Sequence, residues 1–215
     1  MKKNQKDAFA AACWLAAFVL WTVLVRLVDV QQIGPLGSTV GFATLNQWVH
    51  GATGVHMTLY TLTDWLGLVP FGVALSFSVL GLVQWIRRKS IFRVDRSLLV
   101  LGGFYTVVIA VYLLFEAVVI NYRPILIEGI LEASYPSSTT LLVTCVMPTA
   151  ILQCKERIQK SVLRRCVTLV IALFIAFMVI GRLLSGVHWF TDIVGGILFS
   201  IGMIKAYVSL TRGRA

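Results

Sequence analysis

Gly181-Arg182-Leu183-Leu184-Ser185-Gly186-Val187-His188-Trp189-Phe190-Thr191-Asp192 puts an arginine, a histidine and an aspartate into a stretch that otherwise reads as membrane helix. An ionisable group at bilayer depth costs about 2.5–3.5 kcal/mol or more unless it is paired or faces water. Three of them within eleven residues point to a polar site rather than a packing accident. His188 and Asp192 are four residues apart, so on a helix they share one face. A carboxylate placed there can orient an imidazole, as a nucleophilic or general-base histidine requires.

Working outward, the chain has 215 residues, 58% of them hydrophobic and 13% charged. That is too apolar for an ordinary soluble domain and describes an all-α integral membrane protein. Six spans are long enough for a ~30 Å hydrocarbon core. They fall at roughly 8–28, 62–86, 97–119, 137–154, 166–184 and 189–209, within one membrane domain covering 1–215. The first reads as a span and not a cleavable signal, having no small-residue cleavage site before the next polar stretch.

The net charge of +10 raises nucleic acid as a partner, but its distribution argues for a membrane topology instead. Lys2, Lys3 and Lys6 precede the first span. Arg87, Arg88, Lys89, Arg93 and Arg96 separate the second and third. Lys155, Arg157, Lys160, Arg164 and Arg165 separate the fourth and fifth, and Lys205, Arg212 and Arg214 end the chain. Those sixteen of 19 basic residues share one side, leaving Arg26, Arg123 and Arg182 for the other. This bias predicts a multi-pass cell-membrane protein with both termini cytoplasmic; binding of anionic lipid heads is the alternative use of the basic loops. Arg123, Glu128, Glu132, Arg182, His188 and Asp192, with Asp29, His50 and His56, then lie at or near the non-cytoplasmic face.

Cys13, Cys145, Cys154 and Cys166 fall in or beside spans. They read as small packing residues, without disulfide or zinc spacing. There is no Asn-x-Ser/Thr sequon. In the long external stretch 29–61, residues Val40–His50 predict a short amphipathic helix at the interface, with Trp48 at headgroup level. His50 and His56 read as solvated or hydrogen-bonded histidines, with membership of the site as the alternative. Asp64 reads either as a carboxylate near a helix start or as a partner that orients an arginine.

The second external loop carries the remaining pieces. Pro124 biases Arg123 toward an extended backbone at the end of the third span. Pro136 fits the first turn of the fourth span, followed by Ser137, Ser138 and Thr139. A helix start with hydroxyls is either plain N-capping or an anion site. With two arginines converging on the same face, the anion site is favoured. Two guanidinium groups offer planar, bidentate donors to a phosphoryl group. These parts suit phosphoryl transfer from a lipid, in which positioning and electrostatics do most of the catalysis. Two arginines can neutralise the developing charge, so no metal or cofactor is expected. Gly195-Gly196 reads as a close helix contact.

Arg123-Pro124, then Pro136-Ser137-Ser138-Thr139, then Arg182-x5-His188-x3-Asp192 resembles the type 2 phosphatidic acid phosphatase (PAP2) superfamily. The likeness covers spans three to six and their external loops. It implies a six-helix bundle and a phosphohistidine on His188. Asp192 would orient His188, and Arg123 and Arg182 would hold phosphate, with Ser137, Ser138 and Thr139 at the helix start. The departures are specific. Glu116 stands where the first motif has Lys. Ser138 and Thr139 stand where the second has Gly and His, and Gly181 where the third has Ser. In the family the second-motif His protonates the leaving group, a contribution of about 10²–10⁴ in rate for general acids.

A lipid monophosphate must expel a basic alkoxide, whereas a diphosphate expels a phosphate monoester whose second pKa is about 6. The expected activity is therefore lipid phosphate or diphosphate hydrolysis, with polyprenyl diphosphates such as undecaprenyl diphosphate as the suggested substrate. Glu128 or Glu132 is the alternative acid if burial raises its pKa. Other readings are a catalytically impaired relative that binds or helps transport a phospholipid or carrier lipid, phosphoryl transfer to another acceptor, and a proton-relay transporter. The lipid bilayer and a lipid phosphate are the expected partners, with oligomerisation left open and no nucleic acid.

Overall fold

The computed structural model describes residues 3–212; Lys2 and Arg214, counted among the basic residues above, lie outside them. The helices are α1 (Lys3–Leu27), α2 (Ala43–Thr53), α3 (Met57–Leu66), α4 (Leu68–Arg88), α5 (Arg96–Ala117), α6 (Ser138–Arg157), α7 (Ser161–Leu184) and α8 (Phe190–Arg212). Among the described residues there is no strand beyond isolated bridges. Five segments are long and apolar enough to cross a membrane: α1, the run Met57–Arg88, α5, α7 and α8. The second of these begins earlier than the sequence suggests, because α3 and α4 join through Gly67 without leaving the right-handed region.

The expected fourth span forms as α6, but it is not among those five. Its polar side chains explain this. α6 packs on α4, α5, α7 and α8, so its hydroxyls and amide meet protein rather than lipid. The Tyr105 hydroxyl lies 3.0 Å from Thr149 Oγ1, and Gln153 Nε2 donates to the Tyr207 hydroxyl at 2.6 Å. At the end of the bundle that carries the basic loops, Asp95 accepts from Gln84 Nε2 (2.8 Å), Arg88 Nη1 (3.0 Å) and Arg157 Nη1 (3.2 Å). These donors, Gln84 first, hold its carboxyl below the usual range and tie α4, α5 and α6 together.

At the opposite end an aromatic cluster of Phe18, Phe115, Tyr135 and Phe199 joins α1, α5, the loop before α6, and α8. Gly195 and Gly196 make the close contact expected of them. A Cβ on Gly195 would stand 2.6 Å from the Tyr135 ring, and one on Gly196 3.4 Å from the Leu141 nitrogen.

The amphipathic helix of the 29–61 stretch starts at Ala43 rather than Val40. Val40 is paired with Gln31 and Phe42 is left-handed at φ 48°. Trp48 is 72% exposed on it, as an interfacial anchor would be. On the other side, buried Asn46 donates to Thr191 Oγ1 at 3.0 Å and accepts from the Thr191 backbone at 3.2 Å. The external segment is thereby latched to the first turn of α8.

Candidate active site

His188 does not ride on a helix with Asp192. α7 ends at Leu184, Gly186 turns the chain at φ 68°, and α8 starts only at Phe190. Gly186 is required twice over, since a Cβ there would lie 2.0 Å from the Gly54 carbonyl oxygen. Asp192 occupies the third position of α8, and its Oδ2 accepts from the Trp189 backbone N–H at 2.9 Å. That is the reciprocal half of a capping box. It turns the carboxylate back toward the connection that carries His188.

The two side chains still do not hydrogen-bond directly: His188 Nδ1 is 3.9 Å from Asp192 Oδ2. Ser134 fills the gap. Its Oγ lies 3.0 Å from His188 Nδ1 and donates to Asp192 Oδ2 at 2.5 Å. A hydroxyl has one proton, so Ser134 must accept from Nδ1–H. This network assigns the tautomer and leaves the lone pair on Nε2. Asn121 Nδ2 donates to Asp192 Oδ1 at 3.3 Å, which gives both carboxylate oxygens partners. His188 is 3% exposed. Burial first, then the Arg182 and Arg123 charges, push its pKa well below the ordinary histidine value. The imidazole is therefore neutral.

The lone pair faces a guanidinium: Arg182 Nη2 is 3.2 Å from His188 Nε2. Arg123 comes from the loop after α5. A Tyr122–Ala133 bridge and an Arg123 N–H bond to the Glu132 carbonyl (3.1 Å) bring Arg123 and Ser134 into one site. Both arginines lie against the Tyr60 ring, with Cζ 5.0 Å (Arg182) and 5.9 Å (Arg123) from its centre. Gly181 makes this possible. A Cβ there would be 2.8 Å from Thr63 Cγ2, so a serine at this position would crowd the Thr63 side chain of α3.

The arginines are loosely engaged. Arg123 Nε is 3.0 Å from Glu132 Oε2, and Arg182 Nη1 is 3.5 Å from Asp64 Oδ1. Arg123 Nη1 and Arg182 Nε are buried with no hydrogen-bond partner among the described residues. A buried donor left unsatisfied costs about 1–3 kcal/mol, and more when charged, so the pair is primed for an anion. Asp64 lies near the end of α3 and not at a helix start, so its role as an arginine partner is the one the geometry displays.

The remaining candidates separate. Ser137 is the N-cap of α6, its buried hydroxyl accepting from Thr140 N–H at 3.4 Å, and Pro136 precedes this cap instead of entering the first turn. Ser138 lines a narrow cleft with Glu116, Ser134 and His188. Ser138 and Thr139 also line a groove of about 420 Å³ that runs from Asp64 past Tyr112 to Phe71 and Leu142. His50 Nε2 lies 3.1 Å from the Gly186 carbonyl, and its ring packs at 5.5 Å on Trp189, so it braces the connection without joining the reacting groups. His56 Nε2 bonds the Thr53 carbonyl at 3.0 Å. Glu128 sits exposed at a turn tip with φ 50°, apart from the buried groups around His188. Asp29 caps the start of α2 through Thr44 N–H at 2.7 Å.

The PAP2 superfamily model matches residues 8–214 of the chain. The chain belongs to the PAP2 superfamily. A solved structure, described as the first transmembrane PAP2-type phosphatidylglycerolphosphate phosphatase from Bacillus subtilis, aligns over 94% of this chain and 94% of its own at a TM-score of 0.57. The two sequences are 18% identical, so this likeness is one of fold. No curated protein matches the chain.

Three participants escaped the sequence. Ser134 was one hydroxyl among several in a loop already singled out, and nothing in its spacing paired it with His188. Asn121 adjoins Tyr122-Arg123-Pro124 but carries no motif. Tyr60 depends on the close α3–α7 packing and left no linear signal.

Proposed function

We propose that this PAP2 superfamily member, a multi-pass membrane protein of a phosphatase superfamily, hydrolyses a lipid diphosphate through a phosphohistidine on His188. One observation carries the reading. A neutral, buried imidazole has its Nε2 lone pair 3.2 Å from an arginine, beside two buried arginine nitrogens that lack hydrogen-bond partners among the described residues. A nucleophile and phosphoryl-oxygen donors that converge on one point are what transfer to histidine needs. Ser134 and Asp192 hold Nδ1–H so that positive charge on the phosphorylated ring is met by a carboxylate. Arg123 and Arg182 take the non-bridging oxygens, with Ser138 at the helix start beside them.

The groove of about 420 Å³ past Thr139 gives the lipid tail a place to lie. Thr139 has no acid–base range near neutrality, so the leaving group must depart without a strong acid. A lipid monophosphate does so far more readily than an alkoxide, and polyprenyl diphosphates, undecaprenyl diphosphate among them, are the substrate class that fits. The basic loops lie at the opposite end of the bundle, which supports a site facing the non-cytoplasmic side with both termini cytoplasmic.

The test is phosphate release by purified wild type and His188→Ala, in metal-free detergent, from a panel of lipid mono- and diphosphates. Release from diphosphates that exceeds release from monophosphates by orders of magnitude, and vanishes in the variant, is the expected result. Equal rates on both classes would remove the leaving-group argument. Binding without release from any lipid would make the chain a non-catalytic lipid binder.

A further inference from the structure

We infer that Asp64 is the general base of the second half-reaction, taking the proton of the water that hydrolyses the phosphohistidine. This rests on the phosphohistidine reading above and extends it to the step that reading leaves without a base. Asp64 is one guanidinium away from the nucleophile: its Oδ1 is 3.5 Å from Arg182 Nη1, while Arg182 Nη2 is 3.2 Å from His188 Nε2. The Asp64 side chain is 57% exposed where that of Arg182 is 1% exposed, so Asp64 stands at the open edge of the site.

Direction of attack adds the second argument. In-line displacement at phosphorus requires water to approach opposite Nε2, along the path by which the leaving group departed. With the groove assigned to the lipid as that path, Asp64 is the one acid among the described residues that line it. Thr139 and Ser138 line the same mouth and cannot accept a proton at neutral pH. The other nearby carboxylates are placed differently. Glu132 is held on Arg123 at 3.0 Å. Glu116 lines the narrow cleft of about 10 Å³ rather than the groove.

The chemistry balances without a further reactant. In the first step Nε2 attacks the terminal phosphorus, an N–P bond forms, and the P–O bond to the lipid monophosphate breaks. The departing anion needs no proton. In the second step the water oxygen attacks phosphorus and one water proton passes to Asp64. The N–P bond then breaks, its electron pair returns to Nε2, and inorganic phosphate leaves. Asp64 gives its proton to solvent through its exposed face.

The experiment is rapid quench of wild type, Asp64→Asn and Asp64→Glu with a polyprenyl diphosphate labelled in its terminal phosphate. Lipid monophosphate, acid-labile phosphoprotein and free phosphate are followed separately. For Asp64→Asn, the first turnover should release lipid monophosphate within about threefold of wild type, while steady-state kcat falls about 10²–10³-fold. Phosphoprotein should accumulate toward one per chain, and Asp64→Glu should restore part of the turnover. Slowed phosphorylation without accumulation would overturn the inference and make Asp64 only a support for Arg182. Unchanged turnover in Asp64→Asn would overturn it outright. If the wild type itself formed no phosphoprotein and released no phosphate, the fault would lie with the phosphohistidine reading, and the inference would fall with it.

Discussion

The two sides of the His188 ring are built on opposite principles. On the Nδ1 side, Ser134, Asp192, Trp189 and Asn121 form a closed wall in which both carboxylate oxygens are bonded and the Ser134 hydroxyl both accepts and donates. On the Nε2 side, Arg182 and Arg123 keep buried donors unpaired among the described residues, and their carboxylate partners are about half exposed. The first wall fixes a tautomer and an orientation. The second, under the proposed function, holds charge ready to exchange carboxylate for phosphate. The difference teaches that satisfied buried networks position, whereas under-satisfied ones bind. Damage to the first wall should lower kcat, and damage to the arginines of the second should raise KM.

The largest expected effect breaks the closed wall at its centre. Asp192→Asn places an amide where three donors converge, so its NH₂ must oppose a donor whichever way it turns. The Nδ1–H tautomer loses its anchor. By comparison with the aspartate of a serine-protease triad, kcat should fall by about 10³–10⁴. Phosphate release measured beside a thermal melt in detergent separates lost chemistry from lost fold. On the open wall, Arg123→Lys keeps charge but loses the planar fork. A rise in KM of about tenfold, with little change in melting temperature, is expected from steady-state kinetics. A kcat effect larger than the KM effect would erase the distinction between the walls.

Ser134→Ala comes next, and it sharpens the comparison because the serine hydroxyl is committed to His188 Nδ1 and Asp192. The 3.9 Å left between Nδ1 and Asp192 Oδ2 is too long for a hydrogen bond. An unsatisfied buried donor costing about 1–3 kcal/mol should lower kcat by about 10–10², with KM nearly unchanged. Equal loss in both constants would place Ser134 in the binding wall.

How much of this was legible in the sequence depended on whether the cause was local. Hydropathy and the basic loops outlined most of the spans, because the bilayer acts on each segment separately. Arg182, His188 and Asp192 stood out because ionisable residues are costly in an apolar run. The helix assumed to link His188 to Asp192 was misread, since Gly186 and the return of Asp192 to the Trp189 N–H replace helix with a turn. α6 was read as an ordinary span, although its Thr149 and Gln153 meet partners only after the bundle closes around them. Ser134 and Tyr60 reach the site through contacts between distant segments, which no spacing encodes. Gly181, a departure from the third motif, leaves room for the Thr63 side chain of α3, the helix that carries Tyr60 and Asp64 to Arg182.

A packing change offers a smaller perturbation of the closed wall. Gly195→Ala would set a methyl 2.6 Å from the Tyr135 ring, next to Ser134 in the chain. Tyr135 is held at its hydroxyl by Thr22 (2.7 Å) and stacked near Phe18, so it has little room to retreat. Overpacking of this kind costs about 1–3 kcal/mol. A lowered melting temperature with a several-fold loss of kcat and no change of KM is the expected pattern.

The mildest test couples the two walls through a proton. His188 titrates well below its ordinary value of about 6.5 because it is buried and because Arg182 and Arg123 face it. The unfolded chain would bind a proton at His188 below about pH 6.5 while the folded chain would not. This residue therefore makes stability fall as pH drops through that value and leaves it level above. The same depression keeps the proposed nucleophile unprotonated in mild acid. kcat/KM, which reports the free protein, should hold its plateau below pH 6.5 instead of turning down there. Arg182→Gln removes the nearer charge, so the acid limb should move up toward the ordinary histidine value, on top of the loss in phosphate affinity. An acid limb that stays put in that variant would mean the arginine acts on phosphate alone, and that the open wall has no part in keeping the histidine neutral.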